Sequence, residues 1–315
     1  MEQTINKVFI TGVLVKKGLE VRNVGEENEC ISGSLIVRTN DGSEHEINYY
    51  ANKYKKDKEG NFTSDVSSLY TGYETIISDY ISLEDDKDNA DVIKVGACEL
   101  SVNDFKGKDN TVISTNKIRA KFTNRLTEEE KPLTAREAKF ELSGVITKIE
   151  SEIIKDVPTG NGIVRLDVIG YNGTIIPVKL TIPAHLVEPF GSVGFYEGGT
   201  AKFTGNIINT KTVETITEKQ AFGDDIIKEV TTTKKLYEVR GGSPLGTLDA
   251  LNITQEEYTT AQSKRRLKLD EILNGENKKE GFENNTQSTS PSATQQQPQN
   301  NPFANANPFG NPFAK

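Results

Sequence analysis

The residues best suited to chemistry lie between positions 49 and 62. Tyr49-Tyr50-Ala51-Asn52-Lys53-Tyr54-Lys55-Lys56-Asp57-Lys58 interleaves rings with cations, and Phe62 follows a Gly-Asn pair. Flat rings can stack and ammonium groups can neutralise negative charge, which is the chemistry of holding a ligand and not of breaking a bond. A second candidate is the run 110–122, where Lys117, Arg119 and Lys121 alternate with Ile118, Ala120 and Phe122. Period two with cations on one side is the pattern of a half-buried strand facing an anion; an edge strand guarded by Lys and Arg against unwanted pairing gives the same pattern.

Catalytic signatures are missing. The chain has no phosphate-cradling Walker loop, no Cys-x-x-Cys, no His-Glu-x-x-His and no Gly-x-Ser-x-Gly. Acidic pairs such as Asp85-Asp86 and Asp224-Asp225 fall in expected loops and read as solvated. His45 and His185 are too scattered for a metal site and read as surface or rim histidines; Cys30 and Cys98 read as reduced thiols. Neither an enzyme nor a cofactor is expected.

The elements that must position the rings and cations show a two-fold repeat. Residues 7–16 and 139–148 each place a glycine, Gly12 and Gly144, inside a β-branched run, where a missing side chain lets the strand bend or another backbone approach. After each copy comes a hairpin. Residues 31–38 and 44–52 flank Asn40-Asp41-Gly42, and 163–169 and 174–182 flank Tyr171-Asn172-Gly173. Asp-Gly and Asn-Gly supply the positive φ values that tight hairpin turns need.

The 315 residues therefore divide into a first small-barrel module over 1–126, a linker over 127–137, a second module over 138–250, a helix over 251–274 and a tail over 275–315. Residues 1–5 read as a flexible leader, 66–73 as a turn or two of helix and 74–83 as a strand. Residues 182–190 read as a brief helix, and 211–219 with 228–240 as a long hairpin. The helix near the end opens on Thr254 with Glu257 three residues on, a capping box. Its basic patch, Lys264-Arg265-Arg266 and Lys268, reads as a solvated face. Asn, Gln, Ser, Thr and Pro dominate the tail, so it should be disordered. Its three Asn-Pro-Phe repeats, carrying Phe303, Phe309 and Phe313, look like ligands for another protein's pocket.

No run of about 18 apolar residues occurs, and the first residues lack a basic flank with an apolar segment behind it. A cytoplasmic location, a host's cytoplasm for a viral protein, is the expectation. The net charge of −8 argues against a nucleic-acid partner only until placement is considered, because binding depends on where the cations lie.

A barrel-opening strand with an internal glycine, a hairpin, a short segment, further strands and a polar tail ending in Pro-Phe together resemble single-stranded DNA-binding proteins of the OB-fold class. The resemblance is to the tandem-module forms associated with bacteriophages and mobile elements. It implies five-stranded barrels whose strand faces stack bases on rings. Carried to this chain, the stacking residues would be Tyr49, Tyr50, Tyr54 and Phe62, with Tyr171, Phe195, Tyr196 and Phe203 in the second module. Phosphate partners would be Lys16, Lys17, Arg38, Lys53, Lys55, Lys56, Lys117, Arg119 and Lys121, then Lys148, Arg165, Lys179 and Lys202. Some of these rings must instead fill the cores, since the chain has no Trp. The family's acidic tail tip is absent, because residues 284–315 contain no Asp or Glu.

The function expected is sequence-independent binding and protection of single-stranded DNA in replication or recombination, with the tail recruiting partner proteins and no membrane involved. A structural or assembly protein, such as a virion component using barrels as adhesive modules, is the alternative.

Overall fold

The computed structural model describes residues 2–218, 222 and 226–275. The chain is mainly β. Its strands in order are β1 (Asn6–Arg22), β2 (Cys30–Arg38), β3 (Glu44–Asn52), β4 (Tyr54–Lys56), β5 (Phe62–Val66), β6 (Val92–Lys106), β7 (Val112–Arg119) and β8 (Phe122–Arg125), then β9 (Ala138–Ile154), β10 (Val157–Ile169), β11 (Ile175–Ile182), β12 (Thr200–Glu218) and β13 (Ile226–Gly246). Helices α1 (Ser68–Asp79) and α2 (Ala184–Ser192) each follow a third barrel strand, and α3 (Gln255–Asn274) ends the described chain.

The repeat becomes two rings of the same topology. In the first, β1, β2, β3, β7 and β6 follow one another and β6 returns to β1; in the second, β9, β10, β11, β13 and β12 do the same, closing on β9. Each ring contains one short parallel contact, β3 with β7 through Ile47–Ile118 and Asn48–Arg119 in one, β11 with β13 through Leu180–Tyr237 and Thr181–Glu238 in the other. These are two OB-like barrels. Residues Asn6, Lys7, Val8, Phe9 and Ile10 pair antiparallel with Leu142, Glu141, Phe140, Lys139 and Ala138, so one continuous sheet passes through both rings.

The internal glycines act at equivalent places. A Cβ on Gly12 would stand 2.3 Å from the carbonyl oxygen of Arg38, and one on Gly144 would stand 2.2 Å from that of Asp167. No side chain fits there. The end of the second strand of each barrel lies directly on the glycine, which is how the first strand can bend around the ring.

Burial alternates along the strands as period two requires: Ile31, Leu35 and Val37 face inward on β2, and Ile47, Tyr49 and Ala51 on β3. Helix α1 closes the first barrel with Tyr70, Tyr73 and Ile76, spaced at three-residue intervals on one face. This corrects the strand expected over 74–83. The β-branched Thr75-Ile76-Ile77 favours a strand locally, but helical spacing lets Ile76 join the two tyrosines in the core, and packing overrides propensity. Lys17 then donates from Nζ to the carbonyl of Tyr80 just past the helix end, at 2.5 Å.

Residues 2–5 are also not a free leader. The Thr4 amide donates to the carbonyl of Ile169 at 2.9 Å, and Ile5 exchanges bonds with Ser143. His45, expected on a surface or rim, is buried. Both cysteines are buried free thiols.

Helix α3 bears the expected capping box, with Glu257 N–H bonded to the Thr254 hydroxyl. It lies across both barrels. Ile253, Tyr258 and Ala261 bury against Val145, Ile169 and Ile175 of the second barrel, and the Tyr258 hydroxyl donates to Asp167 at 2.9 Å. At its far end Lys106 of the first barrel donates to the carbonyl of Leu273 at 2.7 Å. Asn116 on β7 donates to the carbonyl of Pro177 on β11 at 3.0 Å, a further tie between the rings. The tip of the β12–β13 hairpin, apart from Phe222, and all of 276–315 lie outside the described residues.

Candidate nucleic-acid interface

Toward the Cys30 and Asn52 ends of β2 and β3 the outward side chains are polar and uncharged, whereas Ile36, Arg38, Glu44 and Glu46 occupy the outward positions farther along. Ser34 pairs with Asn48 and Ser32 with Tyr50, all on the side away from the core. Tyr50 is 38% exposed, and its hydroxyl donates to Asn52 at 2.7 Å. The parallel contact of β3 with β7 sets Arg119 in register with Asn48, and Ile118 beside it faces inward, so Arg119 faces out. Lys117 and Lys121 share that alternation, Lys117 half-buried and Lys121 exposed. The expected cation stripe thus borders the face that carries Tyr50.

Alternation fails at Phe122. The pattern sets it opposite the cations with Ile118 and Ala120, but the chain breaks between β7 and β8 and the ring emerges 53% exposed.

The segment after β3 is a two-stranded hairpin, β4 with β5, in which Lys56 pairs with Phe62 and Tyr54 with Val66. Lys56 Nζ stands 4.6 Å from the centroid of the Phe62 ring. Tyr54 and Phe62 are half-buried, and Lys55 and Lys56 are exposed.

Several expected contacts instead serve the fold. The Tyr49 ring is buried, packs edge-on to Tyr73 with centroids 5.4 Å apart, and shares a 2.6 Å hydroxyl bond with Thr123. It faces the core because inward positions on β3 are odd-numbered, so it is not a stacking residue. Burial raises its hydroxyl pKa. Phe203 is buried, and Phe195 lies stacked between it and Phe190, at 5.2 and 4.6 Å. Those rings fill the second core.

Lys53 is held at 3.1 Å from Glu29, which also accepts from the Tyr70 hydroxyl at 2.6 Å and the Gly25 amide at 2.8 Å. These bonds, Tyr70 first, hold the Glu29 carboxyl down at about 2. Glu29 therefore ties the β1–β2 connection to α1 through Tyr70 and to the end of β3 through Lys53.

Lys16 pairs with Glu84 at 3.4 Å, Arg38 with Glu44 at 2.6 Å and Lys202 with Glu141 at 2.6 Å. Tyr196 is 50% exposed, but its hydroxyl is bonded to the carbonyl of Gly246 at 3.1 Å. Tyr171 stands 76% exposed on the β10–β11 turn, where Asn172 and Gly173 take φ of 57° and 72°. Together with Gln3, Glu256 and Lys264 it lines a cavity of about 620 Å³.

The second barrel brings three expected cations together. Arg165 is in register with Lys148 on one side and Lys179 on the other, forming a row across β9, β10 and β11. Glu150 lies within it, 2.6 Å from Lys148 and 2.9 Å from Arg165, and the two cations lower its pKa, Lys148 first. Glu152 lies close to Lys179 and Lys234, its pKa lowered chiefly by a bond from Asn161.

One ring that sequence reasoning missed is Phe9, 51% exposed on β1. Its signal was present, since Val8 and Ile10 on either side are inward residues. It lies opposite the irregular step at 96–97 of β6, and Phe122 pairs with Gly96 from the other flank.

Among the described residues no group of three or more His, Cys, Asp or Glu side chains could hold a metal, and no helix is long and apolar enough to cross a membrane. Phe303, Phe309 and Phe313 lie outside the described residues.

No protein with a curated description matches the chain. Among solved structures it is similar to a deletion mutant of the single-stranded DNA binding protein from Thermus aquaticus, with 15% identity, a TM-score of 0.43, and coverage of 78% of this chain and 96% of that one. The YorF family model matches residues 4–275, which is both barrels and α3 together, and the chain belongs to the YorF family.

Proposed function

We propose that this protein binds single-stranded DNA without regard to sequence, protecting and presenting strands during replication or recombination, and does not itself catalyse a reaction. The observation that carries the reading is the outer face of the first barrel. There Tyr50 stands among Ser32, Ser34 and Asn48, bordered by Arg119 and Lys121, with Tyr54, Lys56 and Phe62 on the adjoining hairpin. A ring can stack on any base, neutral hydroxyl and amide groups can bond to many edges, and the cations suit phosphates. The modules are taken as 1–126 and 138–250, joined by 127–137, and the Phe303, Phe309 and Phe313 repeats are taken as the ligand of a partner protein.

A second reading, an adhesive assembly protein, draws on Ile153, Ile154 and Val157, which are exposed near the tip of the β9–β10 hairpin. Titration of labelled single-stranded and double-stranded oligonucleotides at two salt concentrations separates the two. The DNA reading requires tighter binding to the single strand and weakening with salt; affinity indifferent to salt, or none at all, leaves the adhesive reading in its place.

A further inference from the structure

The equivalence of the two rings allows their outer faces to be compared position by position. In the first, Gly12 precedes Val13, which pairs with Arg38, and Lys16 pairs with Ile36; in the second, Gly144 precedes Val145, which pairs with Asp167, and Lys148 pairs with Arg165. On the third strands, Ile36 pairs with Glu46 where Arg165 pairs with Lys179. One ring thus sets an apolar residue beside an acid at the places where the other sets two cations.

The next rows differ in the opposite sense. Ser34 with Asn48 and Ser32 with Tyr50 stay uncovered in the first barrel. In the second, β11 ends at Ile182 and the chain turns at Pro183, which by count stands in the place of Tyr50. The Ala184 amide then donates to Asn161 Oδ1 at 3.0 Å as α2 begins. Among the described residues, no exposed ring lies on β9, β10 or β11 beside Lys148, Arg165 and Lys179. The exposed Tyr171 sits instead at the far turn against α3, and Tyr196 is tied to Gly246.

We infer that the two barrels divide the work of gripping a strand: the first meets bases through rings, and the second meets the sugar-phosphate backbone through the Lys148–Arg165–Lys179 row. The inference rests on the single-stranded DNA reading. It makes the base dependence of binding a property of the first barrel, and gives the second a share of the salt dependence that can be removed by itself. Glu150 keeps the row from carrying its full positive charge before a strand arrives, and a phosphate would compete with it for Lys148 and Arg165.

The test uses the full chain with oligothymidylate of about 30 nucleotides, long enough for two barrels, and an abasic backbone of equal length, each titrated across a salt series. The double variant Tyr50→Leu/Tyr54→Leu, which keeps side-chain bulk, should lose roughly 5- to 150-fold per stacked base on oligothymidylate. Its affinity for the abasic strand and its salt slope should not change. The double variant Arg165→Gln/Lys179→Gln should weaken both ligands by the same factor and flatten the slope by about 0.7 for each phosphate it no longer neutralises. Unchanged melting temperatures would exclude misfolding, since all four side chains lie at least partly exposed. If the ring variant flattens the slope, or the cation variant spares the abasic strand, the division is wrong while DNA binding stands. If the unmodified protein binds neither strand, the underlying reading fails with it.

Discussion

Arg265 of α3 forks onto Asp104 of β6, with Nη2 3.0 Å from Oδ1 and Nη1 3.2 Å from Oδ2, joining a helix seated on the second barrel to a strand of the first. The Asp104 side chain is fully buried and that of Arg265 is 14% exposed. Ser114 and the carbonyl of Ile175 take further guanidinium bonds. Removing one partner of such a pair strands a desolvated charge, which costs about 3–5 kcal/mol. Arg265→Ala should lower unfolding stability in urea by that order, and Arg265→Ala/Asp104→Leu should recover part of it.

Gly12→Ala and Gly144→Ala should each destabilise by more than about 1–3 kcal/mol, because the added methyl meets a carbonyl oxygen and not a yielding side chain. Gly72 in α1 has nothing within 4 Å of its would-be Cβ. Gly72→Ala should therefore stabilise, by up to about 1 kcal/mol. Denaturant midpoints for the three variants check the contrast.

Tyr49 and Tyr50 are adjacent in sequence and opposite in role. Tyr49→Ala should cost about 3–5 kcal/mol of stability, whereas Tyr50→Ala should leave the melting temperature nearly unchanged and weaken binding to oligothymidylate. Equal losses of stability would contradict the inward and outward assignment.

His45 gives the fold a pH dependence. Burial lowers its pKa to about 4 from the ordinary 6.5, with Asp41 opposing the shift and Lys235 adding to it. The folded state thus holds fewer protons than the unfolded chain between those values. The contribution is fully present above pH 6.5 and declines as pH falls toward 4, by on the order of 3 kcal/mol. Stability of His45→Gln should be flatter across that window. Glu29, held at about 2, acts in a separate window below the normal carboxylate range.

Deleting 276–315 should leave affinity for single strands intact while abolishing capture of any protein that reads the Phe303, Phe309 and Phe313 repeats. A fall in DNA affinity would instead make the tail part of the binding surface.

The barrels were legible because period two and a buried glycine are local signals, and both occur twice. The 74–83 segment was not, because Ile76 becomes helical only by packing beside Tyr70 and Tyr73, contacts that lie outside a short window. Within the candidate site, sorting buried Tyr49 from exposed Tyr50 needed the phase of β3 against the core. Arg119 beside Asn48 depended on a parallel contact between strands about 70 residues apart. The acid partners of Lys16 and Lys202, Glu84 and Glu141, lie more than 60 residues away in the chain and could not be read from a short window.

The seam between β1 and β9 has a consequence for either half made alone. Each ring's opening stave is also the other's hem, so either half made alone would bare the row of amides and carbonyls along 6–10 or 138–142, with Phe9 standing on it. A bare margin of that kind recruits neighbours indiscriminately. Neither ring is therefore expected to stay monomeric without the other.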